Sequence, residues 1–339
     1  MKRINTELSY SKNEDPDLVI KAWTCIHTGQ HLIKHLAPES KNSKYYQLAT
    51  PEQYETSWTK LETAFSKTIV FLKERFDLSN YQFIRGYNSI IVLANYFANH
   101  EIVDDQVLAH LSKWFIQSLI LSRYSIRGTT RFREDIKATQ EGKKLRDLFS
   151  HKYEPLDPQT FTLSDVNILN ADFRSPYSTL LYILMRKSKA VDLYKTSLQV
   201  GEKLPDNQSW QFHHIFPDAK FNGKRQQIKD LIEEAKENGS EEDEEKSSGE
   251  LIRLHDSIIS IPNLAFLTPE TNQSIQDSEP FDYLNEIMNR PNGKEILEAQ
   301  MIPTEPSLWK LNKFEEFRKK RTELILQRIN EYLTNENLI

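Results

Sequence analysis

The sequence predicts a mainly α-helical chain with a small α+β part, and three observations lead to that class. Apolar residues recur at helical spacing up to Arg186. Two β-prone runs, Gln211-Phe212-His213-His214-Ile215-Phe216 and Ser257 to Leu267, follow among polar segments. Thr268-Pro269 then supplies an N-cap and a first-turn proline, a strong local helix start.

Taken in order, Asp15 to Leu36 reads as a helix with Pro16 near its start, and Thr50-Pro51-Glu52 opens another to about Phe76. In the latter, Trp58, Leu61, Phe65, Val70 and Phe71 lie near helical spacing. Further helices are expected at Tyr81–Asn99, Asp104–Ser122, Phe132–Phe149 and Tyr177–Arg186, and later around Asp282–Met288 and Ser307–Leu333. There is no internal repeat. Leu204-Pro205-Asp206-Asn207-Gln208-Ser209 reads as a linker, which predicts a helical domain over 1–204 and a second domain over 205–339. Residues 236–250 contain no large apolar side chain to bury, so they are expected to be a disordered acidic insertion between the two strands.

At 339 residues the chain can bury a sizeable core, and two domains are expected. Mean hydropathy is −0.62 and no apolar run reaches membrane-spanning length, so no membrane partner is expected. Met1-Lys2-Arg3-Ile4-Asn5-Thr6 has no apolar signal region, and the one cysteine, Cys25, allows no internal disulfide and no CxxC zinc arrangement. A cytoplasmic location is the resulting expectation.

A formal net charge of −5 argues against nucleic-acid binding, yet Glu241-Glu242-Asp243-Glu244-Glu245 accounts for all of it. Local patches matter more than the total. The richest is Arg123-Tyr124-Ser125-Ile126-Arg127-Gly128-Thr129-Thr130-Arg131-Phe132-Arg133, continued by Lys137, Lys143, Lys144 and Arg146. Arginines interleaved with aromatics suit phosphate contact and base stacking, making Arg123, Arg127, Arg131 and Arg133 the nucleic-acid-binding candidates. The plainer reading is a solvated helix end paired with Glu134, Asp135 and Glu141. Arg318-Lys319-Lys320-Arg321 reads as the wet face of a long helix.

The chemistry concentrates in the two β-prone runs and the helix start. Successive strand residues point to opposite faces, so His213 and His214 can serve one site only if the strand ends or twists there, and Pro217 supplies the stop. Pro262 forces an edge or bend beside Asn263, and Asn272 falls in the first turn after Thr268. Phosphodiester hydrolysis needs an activated water, charge stabilisation on the phosphate and help for the departing oxygen. A neutral imidazole supplies the first, and a divalent ion held by a histidine and an asparagine supplies the others. Such donors suit Mg²⁺ or Mn²⁺, with Zn²⁺ or Ni²⁺ as softer choices.

His213-His214-Ile215-Phe216-Pro217, Asn263-Leu264-Ala265-Phe266-Leu267-Thr268, Asn272-Gln273-Ser274-Ile275 and Pro280-Phe281-Asp282-Tyr283-Leu284 together resemble the C-terminal domain of GmrSD-type type IV restriction endonucleases, an HNH (His-Me finger, ββα-metal) nuclease family. The resemblance runs roughly from residue 105 to 335, and Met301-Ile302-Pro303 and the helix with Phe314, Phe317 and Arg318 look like that family's tail. It implies a ββα-metal finger embedded in helices. Carried over by position, it makes His214 the general base and Asn263 the residue that orients it. It makes His213 and Asn272 the metal ligands. A basic residue often follows the last asparagine in that family, whereas here Gln276-Asp277-Ser278-Glu279 is neutral or acidic.

The family's nucleotide-hydrolysing domain carries an Asp-Gly-Gln-Gln-Arg-like motif, which is missing here, as is a glycine-rich phosphate loop. The resemblance therefore implies the nuclease half of an anti-phage defence system, cutting double-stranded DNA, modified DNA included, with a nucleotide-hydrolysing partner subunit. A catalytically silent helical subunit and an RNA-cleaving toxin are the alternatives. His27, His31 and His35 recur every four residues, but no carboxylate or cysteine completes a metal site, so they read as surface or interface histidines.

Overall fold

The computed structural model describes residues 16–32, 50–78, 84–100, 104–124, 128–140, 168–205 and 208–335. It is mostly helical with one two-stranded antiparallel sheet among the described residues. The chain divides into two compact units, Met1–Thr162 with Leu333–Ile339, and Leu163–Tyr332. The sequence-based boundary at 205 thus falls inside the second unit. Among the described residues no helix is long and apolar enough to cross a membrane.

The first unit contains α1 (Pro16–Thr28), α2 (Pro51–Phe76), α3 (Tyr87–Asn99), α4 (Asp105–Ile120) and α5 (Gly128–Gln140). Thr50 opens α2 with a capping box, its hydroxyl accepting from Gln53 N at 3.3 Å while Gln53 accepts from Thr50 N at 2.8 Å. Helix α3 is the centre of this unit, with Ser89 through Phe97 all buried. A helix apolar on every side must be enclosed by others. Helix α1 ends at Thr28 because Gly29 takes a left-handed φ of 69°, so His31 is not on the helix that carries His27. His27 stacks on Tyr54 and His31 is buried against the edge of Phe132, while His35 lies outside the described residues. Cys25 is buried and free, its thiol pushed up to about 12 by burial.

The second unit is built on α6 (Tyr177–Lys187), whose residues Tyr177 through Met185 are all buried. Next come β1 (Gln211–His214), α7 (Asn222–Glu237), α8 (Glu241–Ile258), β2 (Leu264–Leu267) and α9 (Pro269–Ile275). They are followed by α10 (Pro280–Met288), α11 (Gly293–Ala299) and α12 (Phe314–Asn335). Strands β1 and β2 pair antiparallel, with Gln211 opposite Leu267 and His214 opposite Leu264. Four residues of ladder are marginal alone. The core beneath joins Ile215, Phe216, Ile258, Ala265, Leu267, Leu284, Trp309 and Phe317.

Three sequence expectations are corrected here. The acidic run is not a disordered insertion: Glu241 to Glu244 form the first turn of α8, where negative charge suits the positive end of the helix dipole. That turn has little to bury, but it extends a helix anchored by Leu254 and Ile258 against Ile228 of α7. Once a helix is nucleated by such packing, adding residues costs little. Second, Ser257 to Leu267 is not one strand. Ser257-Ile258 closes α8, Ile261–Asn263 is a 3₁₀ turn containing Pro262, and only Leu264–Leu267 is extended. Third, Arg318 and Arg321 are not on a wet face; they are 2% and 0% exposed, while Lys319 is exposed.

Amide hydrogen exchange should therefore find Glu244–Ile258 protected as a helix rather than exchanging like free chain. Leu254→Ala should destabilise the protein by about 2–4 kcal/mol, as deletions from a packed core do. Ile252→Ala, on a side chain 61% exposed, should stay within about 0.5 kcal/mol. Rapid exchange across the acidic run would overturn the helix assignment.

Candidate functional site

The site residues sit where β1, the turn before β2 and the start of α9 converge. Thr268 caps α9 by accepting from Thr271 N at 3.3 Å. The buried Asp192 carboxylate fixes the same turn, accepting from Thr268 N at 2.7 Å and from the Thr271 hydroxyl at 2.5 Å. This aims Asn272 at β1. Its amide Nδ2 donates to Gln211 Oε1 at 2.7 Å, which leaves Oδ1 facing His213 Nδ1, also at 2.7 Å.

With Asn272 Oδ1 as acceptor, the network assigns the proton to His213 Nδ1 and leaves Nε2 bare. Nε2 is buried without a hydrogen-bond partner, and the ring is edge-on to Tyr283. Tyr283 in turn donates to Ile215 O at 2.9 Å. Burial pushes the His213 pKa down to about 4; the bond to Asn272 and the Asp277 charge oppose that shift, and His214 adds to it. His213 is thus neutral at pH 7, the state a metal ligand needs.

An imidazole nitrogen and an amide oxygen are both donors for a divalent ion. Their 2.7 Å separation is near the edge of about 3 Å between neighbouring donors around an octahedral ion with bonds of about 2.1 Å. The pair also borders the surface, since Gln211 is exposed and Asn272 half-buried. With the ring in the tautomer that carries its proton on Nε2 instead, the two side chains would fit part of a coordination shell, with water and substrate oxygens left to complete it. Among the described residues no group of three or more His, Cys, Asp or Glu side chains could hold a metal ion.

His214 is the last residue of β1 and half-buried. Its pKa is lowered by desolvation first; the Asp218 carboxylate pulls it up and the Arg225 guanidinium pushes it down. Asn263 is completely buried. Its Oδ1 accepts from Phe216 N at 2.8 Å, and its Nδ2 donates to Phe216 O at 3.1 Å and Ile258 O at 2.8 Å. Its backbone carbonyl accepts from Ile215 N at 2.8 Å. Asn263 thus holds the chain just past His214. No hydrogen bond joins it to the His214 ring among the described residues; its bonds go to the backbone that follows.

Sequence reasoning missed the supports. Arg321, 0% exposed, donates to the carbonyls of Pro262, Gln300 and Met301 at 3.1, 3.2 and 3.3 Å, and burial lowers its pKa to about 9. Arg318 reaches Ser257 and Ser260 at 2.8 and 3.2 Å, beside the same turn. Asp192 caps a helix 76 residues away, a distance at which no local pattern signals it.

The arginine-rich segment belongs to the first unit, and one of its members is withdrawn from the predicted nucleic-acid-binding set. Arg123 is 5% exposed and makes a two-pronged bond to Asp135, 2.7 Å on each side, with Tyr124 also donating to that carboxylate. A guanidinium buried in such a pair cannot reach a phosphate backbone. Arg131 is half-buried and donates to Arg123 O at 3.1 Å, and Arg133 is exposed. Arg127, together with Lys143, Lys144 and Arg146, lies outside the described residues.

The chain matches no family model and no curated protein.

Two stability predictions follow from burial. Asn263→Ala leaves Phe216 N–H and two carbonyls unpaired in the core, so it should cost about 3 kcal/mol in denaturant unfolding. His213 has a folded pKa of about 4 against about 6.5 unfolded, so between these values the unfolded chain binds more protons and stability rises with pH. With chelator present, up to about 3 kcal/mol should be lost as pH falls from about 6.5 to about 4. His213→Gln should flatten that slope; an unchanged slope would place the titration elsewhere.

Proposed function

We propose that this chain is a metal-dependent endonuclease that hydrolyses phosphodiester bonds in DNA through an HNH-type ββα-metal site, as the nuclease part of a modification-dependent restriction or anti-phage system. One observation carries the reading. The side chains of His213 and Asn272, 59 residues apart, meet at 2.7 Å, while Asn263 pins the backbone immediately after His214. A histidine pair, a buried asparagine and a helix-start asparagine thus converge on one short sheet, in the order of that resemblance.

The roles follow from the surroundings. Asn272 Oδ1 and His213 Nδ1, the latter in the tautomer with its proton on Nε2, would hold the cation, and Asp192 and Thr268 keep Asn272 in place for it. When bound, the ion supplies charge stabilisation at the phosphate and the leaving oxygen. His214 sits at the strand end, and a pKa below the usual histidine range keeps its imidazole neutral and able to take a proton from water at pH 7. Asn263 fixes the turn from Ile215 to Phe216, which limits where the His214 backbone can go.

Incubation with supercoiled plasmid, DNA containing modified cytosine, and RNA, each with Mg²⁺, Mn²⁺ or Zn²⁺, tests the activity and separates DNA from RNA cleavage. His214→Ala should keep the fold and lower cleavage by about 10²-fold or more. His213→Ala and Asn272→Ala should each weaken metal affinity in calorimetry, with excess metal partly restoring cleavage by His213→Ala. Cleavage by a wild-type chain that binds no metal would refute the mechanism.

A further inference from the structure

A phosphodiester site needs a cation on the substrate's phosphates, and the residues after Asn272 supply none: Gln276-Asp277-Ser278-Glu279 is neutral or acidic. The arginine-rich segment has lost Arg123 to a buried ion pair. On the His214 side, by contrast, Arg225 stands in the first turn of α7, hydrogen-bonded to Asp218, which follows His214 by four residues, and its charge acts on that histidine.

The hydrogen bonds of Arg225, whose side chain is 19% exposed, leave one edge of its guanidinium without an acceptor among the described residues. Nη1 donates to Asp218 Oδ2 at 2.9 Å, to Asn222 Oδ1 at 3.3 Å and to Asp218 O at 3.5 Å, and Nη2 donates to Asp218 Oδ1. Asp218 therefore occupies the end of the guanidinium. Nε–H and the second Nη2 hydrogen, which form the side-on fork, have no acceptor among the described residues. A fork of that geometry matches two phosphate oxygens, and its partner carboxylate holds the plane in place for them. Lys229 follows one helical turn later, exposed and without an ion pair among the described residues, whereas Lys220 is paired with Glu279 at 3.0 Å and Lys224 lies 4.0 Å from Glu250. The acidic start of α8 is at the other end of the hairpin, roughly 18 Å along α7 from Arg225 at about 1.5 Å per residue. That exceeds the screening length of about 8–10 Å.

We infer that Arg225 grips a phosphate of the bound nucleic acid beside His214 through its Nε–Nη2 edge, with Lys229 contacting a neighbouring phosphate. The inference rests on the phosphodiester reading above for its substrate, and it identifies the substrate-binding surface as the root of the α7–α8 hairpin. The competing view makes Asp218–Arg225 an exposed surface pair, which contributes little to stability and nothing to binding.

The test uses the full chain carrying His214→Ala, with EDTA present, and reads binding of a short fluorescent DNA duplex by anisotropy at several salt concentrations. Arg225→Ala should weaken binding about tenfold and lower the log–log salt slope by about one unit, and Lys229→Ala should lower it similarly. Arg225→Lys should keep the slope but lose part of the affinity, because a point charge replaces a fork. Asp218→Asn should tighten binding several-fold, since it removes a negative charge and leaves the arginine in place. A mere surface pair predicts no change in slope, and a structural pair predicts that Asp218→Asn and Arg225→Ala act in the same direction. Either outcome, or failure of the parent chain to bind duplex at all, overturns the assignment. Plasmid cleavage by the chain without the His214 substitution is scored separately. Salt-sensitive, Arg225-dependent binding without cleavage rejects the catalytic reading and keeps this surface; cleavage by Arg225→Ala at the wild-type kcat/KM rejects this surface and keeps the catalytic reading.

Discussion

The buried amide of Asn263 is the constraint on which the rest of the second unit's site depends. A sheet with four paired residues per strand cannot hold its own register. Asn263 compensates by bonding both backbone groups of Phe216, the Ile258 carbonyl and, through its own carbonyl, Ile215 N. The end of β1, the end of α8 and the start of β2 are thereby joined at one side chain. Inside a core such bonds are strong, and each is costly to leave unmade.

Around this point the protein spends charged groups on backbone geometry. Arg321 is enclosed and donates to three backbone carbonyls, and Arg318 spans Ser257, Ser260 and Glu315. Desolvating a guanidinium is unfavourable, and burial lowers the proton affinity of both. What the arrangement returns is a fixed path for the turn that carries Pro262 and Asn263. Asp192 does the equivalent for the start of α9, so both asparagines are held from behind by buried charge. The imidazole between them is left neutral by desolvation.

The hairpin of α7 and α8 shows the same separation of roles along its length. Its root half is packed through Ile228, Leu254 and Ile258 and carries Arg225, whose charge acts on His214, while its far end is acidic. An acidic total charge therefore says little about the field near His214, because salt screens charges on this length scale.

Helix starts with local chemistry were legible in the chain. Thr50-Pro51 and Thr268-Pro269 form caps because a hydroxyl bonding an amide three residues on needs no tertiary partner. The helical class, the β-prone His-His run and the two asparagines were legible for the same reason: period and turn chemistry are local. Composition misjudged 236–250, since the apolar residues that anchor its helix lie outside that window, in Leu254, Ile258 and the facing α7. It likewise placed Arg318 and Arg321 in water and Arg123 on a phosphate, because burial and ion pairing are set by neighbours distant in sequence. The sequence by itself determined which residue types stand in which order. Only the tertiary structure decided that His213 meets Asn272, that Asp192 fixes the start of α9 and that Arg321 fixes the turn with Pro262 and Asn263, because those contacts span from 20 to 76 residues and no local propensity encodes them.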